Sequence, residues 1–236
     1  MVPKTCQFVE LKKLNEMLDG FVVGSDQVWR YRKDEQSMFR YYLDFADEKK
    51  TKIAYAASFG VDHWEADERV TKKIKQLVDH FQAISVREES GVEICKNIFG
   101  VETIPVLDPT LLLNTDFFHE MANKKTVANT EKRKLVYMLL DDSEANENFF
   151  KAIAKDHGLT FTRINGKKLV PKKGFFLYRS VNSWLSNIKH AEVVITDSFH
   201  CTVFAILFRK TPLCLPPKHS PLTRPDTLLQ PTHPHT

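Results

Sequence analysis

Apolar residues in this chain fall into two alternating patterns, short unbroken runs and longer stretches spaced three and four apart. Phe8, Leu11, Leu14 and Leu18 share one helical face, and Asp19 and Gly20 end it. Phe21, Val22 and Val23 then make a run too short for a helix and suited to a buried strand, closed by the polar turn Gly24, Ser25 and Asp26. Parallel sheets put ligand sites at such carboxyl ends. Ile53 to Ala57 is a second run, followed by an amphipathic helix from Asp62 to Phe81 and a strand from Ala83 to Val86. Arg87 stands where that strand stops. A helix from Glu88 to Phe99 begins with acidic residues, as the helix dipole favours, and Thr103 to Leu107 reads as the next strand before Asp108 and Pro109. Strand, helix and strand in succession predict an α/β fold built on a parallel sheet.

The polar stretch from Asn114 to Lys134 shows almost no apolar periodicity beyond Phe117, Phe118 and Met121, and is expected to be a linker. Beyond it the rhythm restarts. Strands are expected at Leu135 to Leu140, Leu159 to Ile164, Val193 to Thr196 and Pro212 to Leu215, and helices at Ser143 to His157, Val181 to His190 and Phe199 to Phe208. The expected division is residues 1–113, a linker over 114–134, a second α/β domain over 135–215, and a tail over 216–236. Two such domains are expected to enclose a cleft. The tail holds six of the 11 prolines and three of the nine histidines with little to bury, so disorder is expected there.

Composition narrows the class. With 236 residues and 42% apolar content the chain can bury a core. Cys6, Cys95, Cys201 and Cys214 have neither C-x-x-C nor Cys/His metal spacing, so they read as reduced thiols of a cytoplasmic protein with no metal site. No run approaches the roughly 20 apolar residues of a membrane span, and no signal-type run opens the chain. Residues 1–113 carry 16 basic and 19 acidic side chains, net −3, whereas the remainder carries 18 and 11, net +7. That asymmetry suits either an anion-holding cleft or a solvated Lys-rich face. Its lysines are not interleaved with stacking aromatics, which argues against nucleic acid.

The segment WLSNIKHAEVVITDSFHCTVFAILFRKTPL, Trp184 to Leu213, concentrates the candidate chemistry. A strand meets Thr196, Asp197 and Ser198, and a helix begins at once with His200 in its first turn. Asp197 or Ser198 can cap that helix, with other amides and the positive dipole end left for a phosphate or carboxylate. His200 beside them can serve as a proton donor, or pack as a structural histidine.

Strand, D-S-F-H and a small-residue helix in this order resemble the carboxyl-terminal signature of the polysaccharide pyruvyl transferase family. FVVGSDQVW, Phe21 to Trp29, and SVREESGVEICKNIFGVETIPVLDPTLLL, Ser85 to Leu113, resemble two further family segments. The resemblance covers most of the chain from Leu11 to Leu213. It implies a glycosyltransferase-B-like pair of Rossmann-like domains that transfers pyruvate from phosphoenolpyruvate to hydroxyls of a glycan or lipid-linked oligosaccharide, forming a ketal. The protein would then be cytoplasmic, with placement at the inner face of the membrane left open. By resemblance His200 is the general acid, Asp26 orients or deprotonates the acceptor hydroxyl, and Arg87 binds the donor's carboxylate or phosphate. Ser25, Ser198 and Cys201 are further ligand contacts. Each role has a plain alternative: an ion pair of Arg87 with Glu88 or Asp108, a turn residue at Asp26, and a structural turn at Asp108.

The sequence also departs from the family pattern. Relatives begin with a strand and a Gly-rich turn, and nothing of that kind precedes Phe8, so the first domain is expected to be incomplete with a strand exposed as an edge. Cys201 stands where Gly is common, and Ser198 where some members carry Arg. Two other functions remain open: a glycosyltransferase of the same architecture using a nucleotide-sugar donor, and a truncated, non-catalytic glycan-binding remnant.

Overall fold

The computed structural model describes residues 8–124, 133–168, 176–177 and 179–216. The chain divides into two compact units, Met1–Leu112 and Leu113–Thr236. Each is an α/β unit with its own four-stranded parallel sheet.

In the first unit, α1 (Phe8–Lys13) continues as a 3-10 turn (Leu14–Glu16) into β1 (Gly20–Gly24). Then come α2 (Glu35–Arg40), β2 (Thr51–Ala57), α3 (Glu68–Val78), β3 (Ala83–Val86), α4 (Glu89–Ile94) and β4 (Ile104–Pro105). The sheet order is β1-β2-β3-β4, every pair parallel. β1 is an edge strand, and its Val22 is 68% exposed while Phe21 and Val23 are buried. Trp29 anchors the core with no exposed surface, stacked on Tyr42 at 5.1 Å, its Nε1 donating to the Tyr41 carbonyl at 3.0 Å. Such a buried aromatic dominates the apolar area removed from water.

α2 was not expected, and three of the expected elements differ in extent or form. The helix anticipated from Asp62 starts at Glu68, because Asp67 caps it by accepting from Val70 N at 2.8 Å. The residues ahead of it instead seat Trp64 edge-on against Phe59 and Phe99. The helix after Arg87 ends in a π-turn over Cys95–Phe99, closed by Gly100 at φ +77°. β4 shrinks to two residues, because its partner β3 ends at Val86, which pairs with Pro105.

The second unit comprises α5 (Thr115–Asn123), β5 (Lys134–Met138), α6 (Glu144–Asp156), β6 (Thr160–Arg163), a short antiparallel pair β7 (Lys167–Lys168) and β8 (Phe176–Leu177), α7 (Val181–Lys189), β9 (Val193–Thr196), α8 (Phe199–Leu207) and β10 (Thr211–Cys214). Its main sheet runs β10-β9-β5-β6, all parallel. Two apolar clusters flank the sheet. Val136 and Val194 pack with α5, α7 and α8, while Leu135, Tyr137 and Ile195 pack with Phe150 and Ala154 of α6. The stretch expected as linker therefore opens with a helix: Asn114 caps α5 by accepting from Asp116 N, and Phe118 and Ala122 enter the core. Residues 125–132 of that stretch, and the tail beyond Pro216, lie outside the described residues.

Lys134 opens β5 with only 3% exposure, and its Nζ has no hydrogen-bond partner among the described residues. Burial lowers its pKa below the usual lysine value. At neutral pH the ammonium is charged in both folded and unfolded states, and the folded state carries the cost of burying it. As pH rises through the depressed folded value, the folded state releases its proton first and that cost fades. Lys134→Met is expected to raise unfolding free energy at pH 7 by about 1–3 kcal/mol. Urea unfolding should show the gain narrowing in alkaline buffer.

Candidate functional site

The carboxyl ends of β1, β2 and β3 gather a charged cluster. Arg87 follows β3 directly, its amide held by the Ala57 carbonyl at 3.0 Å, and its side chain is 4% exposed. The guanidinium donates from Nε to Glu88 Oε1 at 3.1 Å and from Nη1 to Asp108 Oδ2 at 2.9 Å. Nη2 lies 3.9 Å from Asp26 Oδ1. Ser25 Oγ donates to Asp108 Oδ2 at 2.6 Å, and Ser58 Oγ donates to Glu88 Oε1 at 2.8 Å. Among the described residues, three carboxylates and two hydroxyls thus gather around this guanidinium.

Asp26 differs from the other two acids. Its side chain is 67% exposed, whereas that of Asp108 is 1% exposed. Its backbone is left-handed, φ +64°, a conformation Asp tolerates better than most residues. The Asp26 carbonyl accepts from Val28 N at 2.7 Å and Ser58 N at 3.0 Å, so the turn is tied to the end of β2. Asp26, Ser25 and Arg87 are therefore brought together at one sheet edge. The planar fork expected for the donor, however, is turned onto Glu88 and Asp108, the ion-pair alternative with both partners present at once. Asp108 is likewise a turn residue, accepting from Thr110 N and Thr110 Oγ1.

In the second unit His200 is half-buried in the first turn of α8, its ring edge-on to Phe199 at 5.3 Å. Neither expected side-chain cap forms. Ser198 occupies the cap position without a side-chain cap bond, and its own amide donates to Thr196 Oγ1 at 3.0 Å. Asp197 reaches away from the helix and accepts from Leu140 N at 2.7 Å and Asp141 N at 3.0 Å, in the loop after β5. Asp142 in the same loop accepts from the Tyr137 hydroxyl and pairs with Arg163 at 3.1 Å. Burial, more than the Asp142 contact, pushes the Tyr137 hydroxyl well above its ordinary range.

Cys201 was expected to touch a ligand, but it has no exposed surface and packs in the cluster of Leu185, Val194 and Phe204. Burial pushes its thiol up to about 12, with a Thr196 hydrogen bond pulling the other way. Ser58, Asp142, Tyr137 and Arg163 were not anticipated. Their one sequence signal is position, at or just beyond strand carboxyl ends. Among the described residues no group of three or more His, Cys, Asp or Glu side chains could hold a metal ion. None of the described helices is long and apolar enough to cross a membrane.

A family model described as polysaccharide pyruvyl transferase matches residues 3–219, which include both sheet-edge clusters. No curated protein matches the chain.

Two outcomes follow from the geometry. Arg87→Met, which strands the Asp108 and Glu88 carboxylates in the interior, is expected to lower stability by about 3–5 kcal/mol in urea unfolding. Burial pushes Cys95 up to about 12 as it does Cys201. Alkylation mapped by mass spectrometry at pH 8 should leave both thiols unmodified in the native protein and modify them in denaturant.

Proposed function

Because the chain belongs to the polysaccharide pyruvyl transferase family, we propose that it moves the pyruvyl group of phosphoenolpyruvate onto hydroxyls of a polysaccharide or lipid-linked oligosaccharide sugar and leaves a cyclic ketal. The observation that carries this reading is the family match over 3–219. The exposed Asp26 carboxylate and the His200 imidazole at a helix start supply the two proton-transfer groups the chemistry needs.

In this reaction His200 gives a proton to the methylene carbon of the donor, and positive character develops at the carbon bearing the phosphate ester. One acceptor hydroxyl attacks that carbon while Asp26 takes its proton. The carbon–oxygen bond to phosphate breaks, a second hydroxyl of the same sugar attacks, and its proton leaves with the phosphate. Amides and the dipole at the start of α8, with Ser198 beside them, offset the donor's negative charge. Arg87 serves by holding Asp108 and Glu88 and by facing Asp26, while Ser25 steadies Asp108 next to that turn. Free thiols at Cys95, Cys201 and Cys214 suit the reducing cytoplasm.

A phosphate-release assay tests the proposal, with phosphoenolpyruvate and short acceptors containing galactose, mannose or N-acetylmannosamine. His200→Ala is expected to cut the rate about 10²–10⁴-fold, with thermal unfolding unchanged. Asp26→Asn, which keeps the left-handed turn, should lower kcat as well. Turnover retained by His200→Ala removes the acid role. Release of a nucleoside diphosphate from a sugar nucleotide, with phosphoenolpyruvate ignored, replaces the whole reading.

A further inference from the structure

We infer that Asp197 is a positioning residue for His200, and that the loop it grips, Leu140 to Asp142, is part of the same functional surface; the inference rests on the reading of His200 as the acid. Residues 196–202 behave as one piece. Ser198 N donates to Thr196 Oγ1 at 3.0 Å, and the Ser198 carbonyl accepts from Thr202 N at 3.0 Å and Thr202 Oγ1 at 3.1 Å. His200 is the second residue of the helix inside that piece. Asp197 tethers it to the neighbouring strand's loop through Leu140 N and Asp141 N, 57 and 56 residues away in sequence.

Both carboxylate oxygens are engaged, so the rotation of the side chain is fixed along with its distance. Each bond is charge-assisted, roughly twice as strong as a neutral one. A capping role would have turned this carboxylate onto the first amides of α8. Here it is spent on another loop, and the positive end of the helix keeps no capping carboxylate from Asp197. The gripped loop is itself anchored, Asp142 accepting from Ser143 N at 2.8 Å, from the Tyr137 hydroxyl, and pairing with Arg163. Leu140, by contrast, is 66% exposed, so the loop faces solvent where an acceptor sugar can approach it. A displacement of the loop is therefore transmitted to the His200 turn, and misplacing a proton donor by about 1 Å can cost about 100-fold in rate.

Asp197→Asn tests this, because it keeps the shape but sets an amide group against one of the two N–H donors. In the phosphate-release assay kcat is expected to fall about 10–100-fold while KM for phosphoenolpyruvate stays within about twofold. On the residual rate of His200→Ala the same substitution should add no further loss, since both act through one proton transfer. Hydrogen exchange at the Leu140 and Asp141 amides should accelerate, and the His200 ring resonances should shift. A kcat within twofold of wild type, an equal loss on the His200→Ala background, or faster exchange with unmoved His200 resonances would each overturn the assignment. Should the wild-type protein release no phosphate with any acceptor, the reaction reading alone fails, and the ring resonances and amide exchange still decide whether Asp197 governs His200.

Discussion

Burying the Arg87 guanidinium is the constraint on which the first unit's sheet edge depends. A lone buried cation costs several kcal/mol, and the structure meets that cost by drawing in Glu88 and Asp108 at 3.1 and 2.9 Å. Those two acids are then held in turn, Asp108 by Ser25 and Thr110, Glu88 by Ser58. The ends of β1, β2 and β3 and the turn after β4 are thereby tied to one another through a single charge. Asp26 is the acid of this group that keeps most of its side chain in water.

In the second unit the acid at the strand end is satisfied differently. Its carboxylate at the strand end, Asp197, is matched by backbone amides rather than by an arginine, so the partner is the chain itself. Amides in a fixed loop cannot rotate away as a long side chain can, and they carry no compensating charge. The local field therefore stays more negative than an ion pair would leave it, close to a helix start of opposite sign.

Much of the architecture was legible because strands and long helices carry their own period. β3 and β9 fall at the expected residues, and α6 and α7 begin where Ser143 and Ser180 cap them. α2 and α5 were not legible. Their polar composition resembles a loop. The pairing of Arg87 with Glu88 or Asp108 was open to the sequence as an alternative, but the hydroxyl partners of those acids were not. Ser25 bonds Asp108 from 83 residues away, and no local pattern encodes such a pair. The burial of Cys201 was hidden for a related reason. Residues 201–205 of α8 are all buried, so that stretch of the helix carries no polar-apolar alternation by which sequence could tell a ligand-facing side from a packed one.

The left-handed backbone at Asp26 has a bearing on how this position should be interpreted across related chains. At φ +64° the main chain itself filters what can stand there, accepting Gly, Asn and Asp and penalising β-branched or bulky side chains before any chemistry is considered. A short polar residue persisting at this turn through divergence would thus report geometry first. Only the choice between a carboxylate and its neutral look-alikes would carry information about what the turn does.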